Sequence, residues 1–480
     1  MSGLFGALDV AKSGLAVTSL GVRTTSHNIA NVNNPNYSRQ RQVVATELPV
    51  NTSGGLVGTG VRQLAVQRAT DPFIQEQLLR HGGQLGASSA QADALAQVEQ
   101  VIGDGSSGGL GATLSSFYDA WSDLASSASP GAPLERASVR TAADALVARL
   151  NGLDRQLREQ MSDVDQEIQG TLPRVNDLLQ QIVTLNDDIA RLELSQPAND
   201  LRDQRDAALR ELGGYLDIQP YEGSDGRVDV RMSNGVPLVS EGHTRTLFAA
   251  PDPSNSFDPR FVRVFVQDGL ATADITPLIG SGRLGSLLHA RDVTIADAIR
   301  SLDVIAFNVA ASVNAAHATG TGANGYSGDF FAQPAQVSDA ARDIALSAAI
   351  VASADAIAAG PSGAPADNRT AQAIATLRDT RASIYRVGDA LGSPTGPTRS
   401  VLDQFSATIT EIGNQARSAA SQRTQQEHAL ETLENRRDEV SGVSLDEEVT
   451  RLVELQAAFQ ANSRVISMVS DLLGALIDIL

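Results

Sequence analysis

One segment has the residue types and spacing of a nucleotide site. Gly280-Ser-Gly282-Arg-Leu-Gly285 fits the Gly-x-Gly-x-x-Gly pattern, in which glycines let backbone amides approach a pyrophosphate at a helix N-terminus. Asp303 follows at about the distance expected of a ribose-binding acid. However, the preceding strand-like runs are linked as hairpins and a mainly apolar helix follows, so no strand–helix–strand unit is predicted. We interpret the segment as a turn between domains and keep a nucleotide-binding enzyme as an alternative.

Three further groups of polar residues predict no catalytic or metal site. Gly105-Ser-Ser107-Gly-Gly109 has the spelling of a nucleophile elbow but lies between two predicted helices, without the strand that would strain the serine. Asp446-Glu447-Glu448 begins a predicted helix, where acids complement the dipole and Ser444 with Glu447 forms a capping box. No two histidines have metal-ligand spacing. We therefore expect no enzyme, cofactor or metal. The histidines are His27, His81, His243, His289, His317 and His428.

Composition excludes several classes of partner and site. The 480 residues include 37 basic and 56 acidic ones, a net charge of −19, which argues against nucleic acid and anionic membranes as partners. There is no cysteine, so disulfides and thiolate metal sites are excluded. No apolar run approaches the roughly 20 residues of a membrane span. Residues 1–22 lack the apolar core of a signal peptide, so we expect that any export occurs without cleavage.

Both ends of the chain are amphipathic segments with a seven-residue repeat. Such a heptad pattern is typical of a helix that buries one seam against a partner helix. Asn462 is the one polar break in the C-terminal rows. The predicted assembly interface consists of Leu8, Leu15, Val22 and Ile29 at the N-terminus, and of Leu445, Leu452, Leu455, Phe459, Ile466, Val469, Leu473, Leu476 and Leu480 at the C-terminus. Leu4, Ala11, Thr18 and Thr25 flank the N-terminal row.

The charges of the two ends are opposite. Residues 1–80 carry seven basic and four acidic side chains, whereas residues 438–480 carry two basic and eight acidic ones. Opposite charges favour pairing of two amphipathic helices. We therefore predict that the N- and C-terminal helices form a coiled coil with each other.

Between the ends, the periodicity predicts a mainly α-helical protein with an inserted antiparallel β module. A β-rich stretch runs to about residue 70, and Pro173 should kink or interrupt the longest helix. Predicted helices lie near 85–102, 110–127, 133–195, 284–317, 366–390 and 399–440, and predicted strands at 216–221, 227–232, 236–239 and 261–266. The predicted domains are a terminal coiled coil (1–45 and 441–480), a helical rod (46–215 and 285–440) and a β-rich insert (216–284).

Several stretches resemble the bacterial flagellar axial proteins. His27-Asn-Ile-Ala-Asn31, followed by Pro35-Asn-Tyr-Ser-Arg-Gln40, is similar to the N-terminal signature of rod, hook and hook-associated subunits, with Asn28, Asn31, Pro35, Asn36 and Tyr37 as its turn residues. The ending Tyr-Ser-Arg-Gln is closest to the hook-associated protein 1 family. Further similar stretches are 198–206, 282–285, 291–292, 313–317, 329–331, 441–448 and 459–461. The resemblance spans nearly the whole chain and is weakest over 216–280.

Two positions depart from the family pattern. Asn36 stands where glycine is usual, and we expect it to supply the left-handed conformation that a glycine would supply. Phe459 stands where tyrosine is usual, which removes a hydroxyl but keeps the ring.

The resemblance implies an elongated, multi-domain axial subunit that joins the flexible hook to the stiffer filament. It would be a secreted structural protein of the hook–filament junction, assembled through its terminal helices. The implied partners are hook protein, hook-associated protein 3, further copies in a ring, an export chaperone and the flagellar type III export machinery. The alternative within the class is hook-associated protein 3 or a flagellin-like filament subunit, against which the stretches at 198–206 and 313–331 argue.

Overall fold

Long helices stand at both ends of the chain, and shorter elements lie between them in sequence. The structure, a computed structural model, describes residues 2–52, 55–103, 108–127, 131–194, 196–361 and 367–479. A π-helical turn, Ala290–Ile295, joins α6 to α7. The helices in these ranges are α1 (Ser2–Ala30), α2 (Pro72–Ile102), α3 (Leu110–Ser126), α4 (Pro133–Leu192), α5 (Asn199–Tyr215), α6 (Gly282–His289), α7 (Ala296–His317), α8 (Ala340–Asp343), α9 (Ala348–Ala352), α10 (Arg369–Thr376), α11 (Val401–Ser441) and α12 (Leu445–Ile479).

All β-structure in the described ranges is antiparallel. β1 (Gln40–Thr46) and β4 (Val61–Arg68) form a hairpin that β2 (Val50–Thr52) and β3 (Gly55–Val57) extend. Between α5 and α6 lie a four-stranded sheet and a three-stranded sheet ordered β11-β10-β9. Their strands are β5 (Ile218–Glu222), β6 (Val228–Met232), β7 (Pro237–Ser240), β8 (His243–Thr244), β9 (Thr246–Pro251), β10 (Val262–Asp268) and β11 (Ala271–Asp274). Three short pairs follow: β12 (Thr321–Gly322) with β15 (Ala358–Gly360), β13 (Phe331–Ala332) with β14 (Ala345–Leu346), and β16 (Ala382–Ser383) with β17 (Thr398–Arg399).

The mainly helical fold with small antiparallel sheets confirms the predicted fold class. The predicted strands correspond to β5, β6, β7 and β10, whereas β8, β9 and β11 were missed. β9 has no alternation of buried and exposed residues, and the other two are very short, so the period-2 signal is absent.

Helix α4 is 60 residues long and supplies much of the core. The apolar row predicted from spacings of four and three is buried throughout: Leu146, Leu150, Leu153, Leu157, Met161, Val164, Ile168, Leu172, Val175 and Leu179. The helix is continuous through Pro173, so the predicted interruption is wrong. A proline removes one backbone hydrogen bond, but Leu172 and Val175 are buried on both sides of it and hold the helix in place.

Two other helix predictions need correction. The helix predicted at 85–102 begins earlier, at Pro72, where the carboxylate of Asp71 accepts a hydrogen bond from the amide of Phe73 and proline occupies the first turn. The helix predicted at 366–390 is only α10, which ends at Thr376. Gly388 and Gly392 have φ of +96° and +89°, which no right-handed helix contains.

A buried ion pair attaches the three-stranded sheet to α4. The carboxylate of Asp165, on α4, accepts a hydrogen bond from the amide of Val262 at 2.9 Å and pairs with the guanidinium of Arg291. Arg291 also donates to the carbonyl of Val262 at 2.8 Å, and both charged side chains are buried. Because each buried charge has a partner, the arrangement fixes β10 against the helix.

Helix α7 ends in a buried histidine whose contacts require the neutral ring. Nε2 of His317 accepts a hydrogen bond from the amide of Ala358 at 2.9 Å, so Nδ1 carries the proton and donates to the carbonyl of Gly328 at 2.6 Å. Burial lowers the pKa of His317 below 6.5, against the raising effects of that hydrogen bond and of Asp329. The stability that this neutral histidine contributes is thus present above pH 6.5 and lost as the pH falls below it.

We expect His317→Gln to reduce the loss of unfolding free energy between pH 7.5 and pH 5, although it lowers stability at pH 7.5. Asp303 acts in the opposite sense: burial raises its pKa from 3.8 to about 7, so its contribution is lost as the pH rises through that window. The wild-type pH profile therefore mixes both groups, and the difference between wild type and variant isolates His317. Urea titrations at the two pH values measure it, and parallel profiles would contradict the assignment.

Candidate assembly interface

The two terminal helices pack antiparallel in a regular register. An added Cβ at Gly14 would lie 2.8 Å from Nδ2 of Asn462, and one at Gly21 would lie 2.9 Å from Cδ2 of Leu455. One heptad further on, Nδ2 of Asn28 donates to Oε2 of Glu448 at 3.1 Å. Positions 14, 21 and 28 therefore face 462, 455 and 448, in steps of seven on both helices. The predicted pairing of the terminal helices is confirmed.

Small and polar residues of α1 form the buried face of the pair. Ala11, Thr18, Thr25 and Asn28 are buried, in the row that the sequence marked only as flanking. The four larger apolar residues Leu8, Leu15, Val22 and Ile29 are half-buried. Small residues let the two helix axes approach closely, which leaves the larger side chains at the edge of the seam.

The C-terminal residues of the predicted interface divide between the seam and the solvent. Leu455 and Val469 are buried, and Leu452, Ile466 and Leu473 are half-buried. Leu445 and Phe459 are 49% and 40% exposed in the single chain. The side chain of Leu476 and the whole of Leu480 lie outside the described residues.

A buried carboxylate connects the seam to the segment that follows α1. Oε1 of Glu448 accepts from Nε of Arg39 at 2.6 Å, while Nη1 of Arg39 reaches Glu447 at 2.6 Å. Burial alone would lower the pKa of Arg39, but the hydrogen bond with Glu447 and the charge of Glu448 raise it instead. The amide of Arg39 also donates to the carbonyl of Ser441 at 2.7 Å. The acids interpreted as a helix cap thus bind a base 400 residues away.

The signature turn is organised by Asn28 and Tyr37. Oδ1 of Asn28 accepts from the hydroxyl of Tyr37 at 2.7 Å and from the amide of Gln40 at 3.0 Å. Burial and the carboxylates of Asp200, Asp203 and Glu448 raise the pKa of Tyr37, so its hydroxyl stays protonated and donates.

The remaining turn residues lie nearer the surface. Asn31 donates to the carbonyl of His27 at 3.0 Å, Pro35 is exposed, and the amide of Asn36 donates to Oδ1 of Asn34 at 3.1 Å. Asn36 is absent from the residues with positive φ in the described ranges, so the expected left-handed conformation is wrong. The turn therefore needs no glycine at this position.

The stretch 198–206 proves to be a clamp for this turn and for the hairpin. The carboxylate of Asp203 accepts from the amide of Ser38 at 2.9 Å and from Arg68 at 2.8 Å, and Arg68 also reaches Asp206 at 2.7 Å. Burial raises the pKa of Asp203 despite these two donors. Asn199 donates to the carbonyl of Val66 at 2.9 Å.

Sequence reasoning missed this clamp, although it contains a usable signal. Asp200, Asp203 and Asp206 recur at intervals of three on one side of α5, as acids that seek basic partners. Those partners are Arg39 and Arg68, which flank the hairpin, together with Gln40, whose side chain donates to Asp200 at 2.7 Å. We call Asn28, Tyr37, Arg39, Arg68, Asp203 and Glu448 the joint, because they connect both terminal helices to the hairpin and to α5.

The segment Gly280–Gly285 is a helix-packing corner. α6 begins at Gly282, whose φ is +74° and where an added Cβ would lie 2.5 Å from the carbonyl oxygen of Tyr215. A short 3₁₀ turn precedes it instead of a strand. Asp303 is buried and accepts from the amides of Asp339 and Ala341, each at 2.9 Å. The glycines therefore allow α6 to approach α5, and the acid supports α8.

Other candidate sites were also located. Gly105–Ser107 falls largely outside the described residues. Within the described ranges, no group of three or more His, Asp or Glu side chains could hold a metal ion. The described helices include none that is long and apolar enough to span a membrane.

Comparison with known proteins identifies relatives along the whole chain. The profile of the flagellar hook-associated protein FlgK helical domain matches residues 95–332, and that of the flagellar basal body rod FlgEFG protein C-terminal region matches 435–479. Flagellar hook-associated protein 1 of Escherichia coli K12 is 27% identical over 98% of this chain and 99% of its own length. That of Bacillus subtilis 168 is 27% identical over 100% and 99%.

A solved structure supports the fold. The flagellar hook junction protein FlgK from Burkholderia pseudomallei superimposes with a TM-score of 0.65, at 16% sequence identity, and covers 76% of this chain and 100% of its own.

Proposed function

Because this chain belongs to the family of flagellar hook-associated protein 1, we propose that it is a structural subunit that joins the hook to the filament. The observation that carries the proposal is the match to hook-associated protein 1 over 98–100% of the chain in two distantly related bacteria. The protein is not an enzyme. Its work is mechanical and consists of holding neighbouring subunits of different stiffness together.

The terminal helix pair is the proposed assembly element. Its seam is formed by small residues, so the larger row Leu8, Leu15, Val22 and Ile29 remains half-buried in the single chain. Phe459 and other apolar residues of α12 are exposed. Burial of apolar surface stabilises an interface by about 25 cal/mol per Å². Packing of several copies around a central export channel would bury these rows and supply the free energy of assembly.

The partners follow from this role. We propose that the subunit forms a ring with its own copies, contacts hook protein on one side and hook-associated protein 3 on the other, and is delivered by the type III export machinery with an export chaperone. It would act outside the cell. The division into a terminal coiled coil, a helical rod and a β-rich insert belongs to the same proposal, with the insert facing outward.

Leu473→Asp should block junction assembly while the body remains folded. Leu473 is half-buried at the edge of the seam, and a carboxylate there would be desolvated without a partner when subunits pack. Bare hooks in electron micrographs and flagellin shed into the medium would measure the effect. Leu270→Asp is the matched control, because Leu270 is fully exposed in the β10–β11 turn. Normal filaments on Leu473→Asp hooks would contradict the role of the seam.

Deletion of the gene tests the proposal itself. Hooks without filaments, together with flagellin in the culture medium, are the expected result, and the wild-type gene on a plasmid should restore filaments. Antibody against this chain should label the hook tip and not the filament shaft, which separates the junction subunit from a flagellin-like subunit. Full-length filaments on the deletion strain's hooks would overturn the proposal.

A further inference from the structure

The hairpin between α1 and α2 exposes an unusual amount of apolar surface. Leu48 is 81% exposed and Leu56 is 72% exposed, and Val50 and Val57 beside them are also more than half exposed. These four residues, which we call the hairpin patch, belong to or adjoin the two-stranded extension β2–β3. An isolated two-stranded hairpin is marginally stable in water, and exposed apolar patches mark interaction surfaces. The patch therefore needs a cover that the single chain does not provide.

A second exposed apolar surface lies on α12. Leu445, Val449 and Val453 recur every four residues, so they form a stripe on one side of the helix. We call these three residues the α12 strip. Their exposure shows that the strip lies outside the seam with α1, in which Glu448 and Leu455 are buried.

The charges around the two surfaces are complementary. Arg41 and Arg62 are exposed on the hairpin and form no ion pair within the described part of the chain. Asp446, Glu447 and Glu454 are exposed beside the α12 strip. A basic apolar surface and an acidic apolar surface attract each other and exclude pairing of either surface with itself.

The patch and the strip of one chain are too far apart to meet. The hairpin runs along α1 toward the N-terminus: Gln40 contacts Asn28 near its base, and the amide of Val61 donates to Oγ of Ser13 at 3.2 Å near its tip. In the register of the seam, Val453 lies level with residue 23. Ten helical residues at 1.5 Å each separate that level from Ser13, a distance of about 15 Å, and the patch follows beyond it.

We propose that the hairpin patch of one copy docks on the α12 strip of the next copy, head to tail. A displacement of copies along the axis of the terminal helices would bring the two surfaces together, and each copy would use both, as in an open or ring-closing assembly. The contact rests on the proposed function, since it requires several copies at the junction. It assigns to the hairpin the role of a link between subunits, continuous with the terminal helix pair that it packs on.

Disulfide trapping tests the contact, because the chain has no cysteine of its own. In junctions isolated from cells that express Leu56→Cys with Val453→Cys, mild oxidation with copper phenanthroline should give a ladder of dimers, trimers and larger species on a non-reducing gel. Each single variant should stay monomeric. Leu56→Cys with Val351→Cys is the matched control, because Val351 is an equally exposed apolar residue on the short helix α9.

Each other outcome overturns a distinct statement. Monomers only, in junctions that contain the double variant, would overturn the contact. Dimers without larger species would overturn the head-to-tail arrangement, and a faster-migrating monomer would show that patch and strip meet within one chain. Absence of wild-type chain from isolated hooks would overturn the proposed function and the contact together.

A second variant tests the contact without trapping. Leu48→Ser with Leu56→Ser should cause loss of most hook-bound protein, whereas the melting temperature of the purified chain should stay unchanged, because both side chains are exposed. Hook-bound protein at the wild-type level would overturn the proposal.

Discussion

Glu448→Ala should open the joint and release the terminal helices from the body. The Glu448 side chain is only 3% exposed and pairs with Arg39 and Asn28. Removal of one partner from a buried ion pair costs about 3–5 kcal/mol, because the other charge is left without compensation. The free energy of local opening should fall by this amount, and filaments should be lost.

Hydrogen exchange gives a direct measure of that opening. The amide of Arg39 is bonded to the carbonyl of Ser441 and that of Gln40 to the side chain of Asn28, so both should exchange at least about 100-fold faster in the variant. Glu447→Ala is the matched control, since Glu447 binds the same arginine but its side chain is 62% exposed. Exposed pairs contribute less than about 1 kcal/mol. Equal effects of the two variants would refute the central place of Glu448.

Gly21→Leu should separate α1 from α12. A Cβ alone would lie 2.9 Å from both Cδ2 of Leu455 and Oε1 of Gln42, and the rest of a leucine side chain finds no room there. Overpacking of this kind costs typically 1–3 kcal/mol even where neighbours adjust. Here the neighbours are a helix and a strand that the joint holds in place, so we expect loss of the pair and of assembly.

Gly6→Leu separates this steric effect from changes in helix propensity. Both substitutions replace a glycine of α1 and favour the helix by about 1 kcal/mol, but nothing lies within 4 Å of a Cβ at Gly6. Exchange of the α1 amides should therefore accelerate in Gly21→Leu and remain unchanged or slow in Gly6→Leu. Protection of α1 in the Gly21→Leu chain would show that the seam tolerates a wider spacing.

The sequence predicted those parts of the fold that periodicity encodes. The apolar row of α4 recurs for 34 residues, long enough to outweigh Pro173, and the heptads identified both terminal helices. Periodicity also indicated the wrong row of α1 as the main contact, because it scores large apolar residues. The seam instead buries Ala11, Thr18 and Thr25, which suit close packing and carry a weak hydrophobic signal.

The joint could not be predicted from periodicity at all. Its members come from segments near residues 28–39, 68, 203 and 448, and only the fold brings them together. Single ionisable residues carry no information about distant partners. The resemblance of 198–206 and 441–448 to flagellar proteins marked these stretches, but the hydrogen bonds of Asp203 and Glu448 supply the physical reason.

The seven-residue register of the terminal pair carries an ambiguity that the joint removes. An apolar heptad seam fits nearly as well when one helix slides by seven residues, so the repeat alone permits several alignments. A slide in one direction would place Glu448 opposite Gly21, and a slide in the other would place it opposite Pro35. Either would leave the carboxylate away from Asn28 and Arg39. The polar contacts thus act as an index mark, and every copy in an assembly can present its outer apolar rows at the same height.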